Sequence, residues 1–204
     1  MLASSNALSL IAGRWLGAAL LLLAASGAIG QTALQIKPLA EARVDELPAG
    51  ALFWRIENFD TAQQARTAAG PHSLVAEASG RVWLFTLGPA GGESAGGRRV
   101  AQVGPIPRVD AKRWLLRIND ASGPPGSLTP IHSHPGSEAF FVLAGEQSIR
   151  GRHGVMRVPS GKAEAGHGAD QAMQVSSTGT VDLHALVMFV VDADRPFSSP
   201  ATLD

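Results

Sequence analysis

Few segments of this chain narrow its options as far as residues 126–145, GSLTPIHSHPGSEAFFVLAG. His132 and His134 stand two residues apart in an extended stretch, so both imidazoles leave the same face of the strand. Pro135-Gly136 reads as a turn, and Glu138 opens an apolar return strand, with its carboxylate facing the space the histidines face. Two imidazoles and one carboxylate converging from such a hairpin are the donor set of a facial metal triad. It leaves coordination positions open for water, substrate or dioxygen. Phe140 and Val142 share the face of Glu138 and are expected to wall a cavity beside the site.

The spacing Gly126-x5-His132-x-His134-x3-Glu138-x6-Gly145 resembles the first motif of the cupin family at all five positions. The resemblance implies an all-β fold, a jelly-roll β-barrel of the cupin type, with additional strands on its N-terminal side. It also implies one divalent transition metal (Fe, Mn, Ni or Zn) as cofactor and a small-molecule ligand or substrate. Within the family, thiol dioxygenases often build a Cys–Tyr cross-link beside iron. This chain has neither Cys nor Tyr and cannot form one.

The family's second motif, which supplies a fourth ligand, matches in two registers. Anchored on Pro159-Ser160-Gly161, it makes His167 the ligand, three residues later than expected, with Gln171 at the Asn position. Counted back from Thr178-Gly179, it puts Met173 at the ligand position and Ser177 at the Asn position. A thioether is a poor ligand for hard divalent metals, so this register leaves three ligands. The expected metal set is therefore His132, His134 and Glu138, with His167 as the fourth candidate. His153 reads as an exposed turn residue and His72 as a loop residue, while His184 lies on the last strand, facing either inward or outward. Arg117, Arg150 and Arg157 read as surface charges, any of which could also clamp an anion.

Of the 204 residues, 1–30 read as an export signal: Arg14, an apolar run over 15–25, then Ala28 and Gly30 at the −3 and −1 positions of a cleavage site. The run is shorter than the roughly 20 residues a membrane span needs. From 17 basic and 17 acidic residues, cleavage would remove one arginine and no acid, leaving a net charge of −1. That balance argues against nucleic acid or an anionic membrane as main partner. An exported chain without cysteine has no disulfides and must rely on its core.

Residues 31–50 read as an arm. Residues 51–110 read as additional strands, with a short helix capped near Asp60-Thr61, a hairpin at Ser79-Gly80 and a flexible Gly-rich loop over 88–97. A strand over 112–118 leads through the turn-rich NDASGPPGS into the motif. The barrel is expected over 111–197, ending in the long apolar strand 181–191, with 198–204 as a tail. The resemblance further implies barrels pairing through edge strands as a homodimer. Two functions fit these residues. One is an exported metal-dependent enzyme (a dioxygenase, or an isomerase or lyase). The other is a non-catalytic cupin that binds or senses a small ligand on a degenerate metal site.

Overall fold

The computed structural model describes residues 32–203, so the export signal read over residues 1–30 lies outside the described residues. The chain enters through β1 (Gln35–Val44), then forms β2 (Phe53–Phe59), α1 (Ala62–Ala68), β3 (Ser73–Ala78), β4 (Arg81–Gly88) and β5 (Arg98–Val103). Next come β6 (Trp114–Gly123), β7 (His132–Ser133), β8 (Gly136–Ala144), β9 (Glu146–Gly151) and β10 (Gly154–Pro159). The order closes with β11 (Ala163–Ala165), β12 (Met173–Ser177), β13 (Leu183–Asp192) and β14 (Ser199–Pro200). Among the described residues no helix is long and apolar enough to cross a membrane.

Two five-stranded sheets, β1-β6-β13-β8-β11 and β10-β9-β12-β7-β14, form the jelly roll, and a third sheet, β3-β4-β2-β5, is made by the intervening segment. The apolar run of β13 shows why these layers assemble. An antiparallel strand with one wet face alternates; one buried on both faces does not. Leu186, Met188 and Val190 pack outward with Trp54, Trp83 and Phe85 of the third sheet. Ala185, Val187, Phe189 and Val191 point into the barrel with Phe140, Val142 and Ile149. His184 shares the outward face but is 46% exposed, with its ring 4.0 Å from Asp120.

The third sheet follows local rules closely. Ser79 and Gly80 both have positive φ, as a two-residue hairpin turn of the primed type requires. Thr61 caps α1 in a reciprocal box, its hydroxyl accepting from the Gln64 N–H and the Gln64 side chain accepting from the Thr61 N–H. The Gly-rich loop over 88–97 is tied down rather than free. The Ser94 N–H and hydroxyl donate to the buried Glu57 carboxylate at 2.9 and 2.7 Å, and Arg55 bridges Glu57, Ser94 and the Gly91 carbonyl. Burial alone would push the Glu57 carboxyl up; the bonds from Ser94 and Arg55 outweigh it and hold the pKa below its ordinary value.

Two segments differ from the sequence-based expectation. Residues 35–44, read as part of an arm, form the edge strand β1 paired along β6. Edge position and a register shift at Pro38/Ala40 remove the regular apolar alternation that would announce a strand. Residues 119–123, read as turn-rich, continue β6; Asn119 is polar because it faces a cavity, not because the chain turns there.

Candidate functional site

The stretch from His132 to Glu138 is not a hairpin. β7 pairs with β12 and β14 in one sheet, whereas β8 pairs with β13 and β11 in the other. His134-Pro135 therefore forms a corner crossing from one wall of the barrel to the other. His132 and His134 keep the expected common face, their rings edge-on with centroids 4.9 Å apart. Glu138 meets them from the opposite wall.

His132, His134 and Glu138 line a cavity of about 390 Å³ whose other walls are mainly apolar, among them Phe140, Val175, Val187, Phe189 and Phe197. Phe140 lines it as expected, whereas Val142, one step deeper, is spent on the packed interior. His167 does not line the cavity: its Nδ1 stands 3.9 Å from Glu138 Oε1, and its ring lies against Gly151 of β9 in the opposite sheet. Continued pairing of the β11 segment along β8 carries it there: the Gly166 N–H donates to the Glu138 carbonyl at 2.9 Å and the Glu138 N–H to the His167 carbonyl at 3.3 Å. Gly166 must be glycine, since a Cβ there would press on the Phe140 ring and come within 2.8 Å of Glu138 Cγ. Met173, the alternative to His167, is buried opposite His132 in the strand register and packs with the interior apolar cluster.

Each histidine of the motif has one nitrogen assigned. A carbonyl can only accept, so Nδ1–H of His134 donates to the Phe197 carbonyl at 2.6 Å, and Nδ1–H of His132 to the Pro130 carbonyl at 2.9 Å. Both rings, when neutral, then carry their lone pair on Nε2, the tautomer that backbone-oriented metal ligands adopt. Burial pushes the His134 imidazole below its ordinary pKa, despite the opposing pull of the Glu138 carboxylate and the Phe197 carbonyl, and so favours that neutral form. Glu138 is 3% exposed; its Oε1 has no hydrogen-bond partner, and neither has Nδ1 of His167, 3.9 Å away. That separation is too long for a hydrogen bond. Among the described residues, no group of three or more His, Cys, Asp or Glu side chains is drawn together as a bound ion would require.

The segment expected to be a tail after the barrel completes the site. β14 pairs with β7, matching Ser199 to Ser133 and Pro200 to His132, and its residues line the cavity mouth. Phe197 packs its ring 4.8 Å from His134 and 4.9 Å from Phe189, with the Arg117 guanidinium 4.3 Å over it. Upstream, Arg195 grips Asp170 through two bonds of 3.0 and 2.6 Å, and the Asp170 N–H donates to the His134 carbonyl. Arg117 thus points into the barrel, bonded to Asn119 and stacked on Phe197, rather than serving as surface charge. Arg157 pairs with Glu146, and Arg150 is exposed. His153 is exposed in its turn, and His72 Nε2 meets the Glu46 carbonyl at 3.0 Å; neither touches the site.

The two five-stranded antiparallel sheets, with His132 on β7, His134 in the corner and Glu138 on β8, make an all-β jelly roll. No protein-family profile matches the chain, and no curated protein is similar to it in sequence. Similar solved structures include a cupin-like protein from Thermotoga maritima, with 16% identity, TM-score 0.38, and 43% of this chain matched to 65% of that one. A protein with a double-stranded β-helix domain from Klebsiella pneumoniae has 19% identity and TM-score 0.37 over 43% of this chain and 75% of that one. A DMSP lyase from Ruegeria pomeroyi has 24% identity and TM-score 0.37 over 42% of this chain and 43% of that one. The matched part of this chain thus spans less than two thirds of the first of these and less than half of the lyase.

Proposed function

We propose that this chain is an exported protein holding one divalent transition metal (Fe, Mn, Ni or Zn) through His132, His134 and Glu138, with a small organic ligand in the adjoining cavity. The observation that carries the reading is the donor chemistry. Two imidazoles are oriented by backbone carbonyls with Nε2 left bare, beside a buried carboxylate oxygen that no protein group satisfies. A cation is the partner that would satisfy all three. His167, with its own Nδ1 unpartnered 3.9 Å from Glu138 Oε1, is the residue to complete or orient the set.

When bound, such a metal supplies Lewis-acid polarisation of a ligand oxygen or a centre for oxygen-dependent oxidation. Reaction classes open to the site are therefore dioxygenase, lyase and isomerase chemistry. The chain's own contribution is a shaped, mainly apolar space walled by Phe140, Phe189 and Phe197, and the Phe197 carbonyl also holds the His134 tautomer. A second reading, a ligand-binding barrel without catalysis, is favoured by the absence of a gathered three-donor group among the described residues.

The test is thermal unfolding of chelator-stripped protein with Mn²⁺, Ni²⁺, Zn²⁺ and, without oxygen, Fe²⁺. At about a hundredfold excess over Kd, a bound metal stabilises by about 2.7 kcal/mol. For a chain of this size that raises Tm by roughly 5–11 °C. No shift with any of the four ions would overturn the metal reading in favour of the second.

A further inference from the structure

The cavity has a second polar end that the metal reading does not use. Asn119 is 2% exposed and lines the cavity, on the inward face of β6. Its amide orientation is fixed by its neighbour two residues before: Arg117 Nε–H donates at 3.0 Å, so the atom facing it must be Oδ1. Arg117 is in turn held by the Phe197 ring beneath its guanidinium. The Asn119 NH₂ group, with two donors, is therefore turned away from Arg117. Among the described residues nothing in the protein accepts from it, and it is not one of the atoms sealed off from solvent.

The strand register places this group. Arg117, Phe189 and Glu138 form one row across β6, β13 and β8; Asn119, Val187 and Phe140 form the next row inward. With strands about 4.8 Å apart and two residues advancing about 6.8 Å, the backbones of Asn119 and Glu138 are roughly 12 Å apart. Between them lie the apolar faces of Val187, Phe189 and Phe140. Thr129 Oγ1 on the same wall accepts from the Val175 N–H at 3.1 Å, and its rotatable hydroxyl has no donor direction fixed by a protein acceptor among the described residues. An apolar chamber at the small end of the ligand-site range thus presents, in the Asn119 amide, a donor oriented by the protein at a fixed distance from the histidine–glutamate end.

From this arrangement we infer that the cavity selects a small, mainly apolar molecule bearing one hydrogen-bond acceptor oxygen, and that Asn119 is the residue that reads this oxygen. The inference rests on the reading of the cavity as a ligand site, but not on the metal. Arg117 acts through Asn119 as a positioning residue, holding the amide with its donors turned toward the ligand.

A matched pair of probes tests it: acetophenone, and ethylbenzene, which has the same shape without the acceptor. Their affinities are measured by calorimetry on the full chain, with and without EDTA, so that a carbonyl held by metal is distinguished from one held by Asn119. Wild type should prefer acetophenone by about three- to tenfold, the worth of one hydrogen bond to a buried donor, in both conditions. N119D keeps the acceptor for Arg117 but removes the donors, and should abolish the preference. N119L should abolish it while still binding ethylbenzene. Equal affinity of wild type for the two probes, a preference that disappears with EDTA, or one that survives either substitution overturns the role of Asn119 and leaves the cavity reading intact. Failure of wild type to bind either probe overturns both.

Discussion

Leucine in place of Glu138 should make the metal-free protein more stable while ending metal binding. Glu138 is buried on the inward face of β8, opposite Phe189 in the register and beside Phe140, with one carboxylate oxygen that no protein group partners. A buried polar atom left unpaired costs about 1–3 kcal/mol. Exchanging buried charge for an apolar side chain of similar volume is often neutral or stabilising. In EDTA, Glu138→Leu should therefore raise Tm by roughly 2–12 °C, the range a gain of about 1–3 kcal/mol gives in a chain of this size. In saturating metal the order should reverse, because only wild type gains the binding energy. Glu138→Gln, still polar and still buried, should show little of the gain. A lower Tm for Glu138→Leu than for wild type in EDTA would mean that the carboxylate serves the fold rather than a ligand.

The second large effect is steric. Gly136 opens β8 between His134 and Glu138, paired with Val191 of β13. A Cβ at this position would collide with the Val190 carbonyl and stand 2.5 Å from Val191 Cα, both backbone atoms in the central strand of the sheet. Neither can move without separating β8 from β13. Gly136→Ala should cost about 3–5 kcal/mol, at the upper end of single substitutions, and lower Tm by roughly 6–20 °C. Because the strain falls between two of the proposed ligands, any folded fraction should also bind metal poorly. Gly126→Ala makes the contrast. There a Cβ would meet nothing, and only the left-handed φ of 86° opposes the change, at about 1–2 kcal/mol. Equal losses from the two substitutions would contradict the close approach of β8 to β13.

That contrast shows where a linear reading succeeds and where it stops. Local chemistry written in adjacent residues was legible: the Thr61 cap, the Ser79-Gly80 turn, the long strand ending at Asp192, and the common face of His132 and His134. The role of Gly136 was not, since it arises from β13, more than fifty residues further on; a Pro-Gly pair looks like a turn whichever strand lies behind it. Phe197 was missed for the same reason: it is 63 residues from His134, and nothing in RPFSSP announces a strand that returns to pair with β7. Asn119 looked like the start of a loop because polar residues inside a cavity and polar residues in a turn read alike. His167 stood in one of two registers. The structure brings its ring beside the Glu138 carboxylate and against Gly151, on a segment whose Gly166 allows the close approach, while Met173 is buried with the interior cluster.

The most direct measurement of the central claim is the metal content of the purified chain beside its His132→Ala/His134→Ala double variant, by elemental analysis before and after reconstitution. The account predicts near-stoichiometric transition metal in wild type and its loss in a double variant that still folds. No metal in either protein after reconstitution, or equal metal in both, would contradict it.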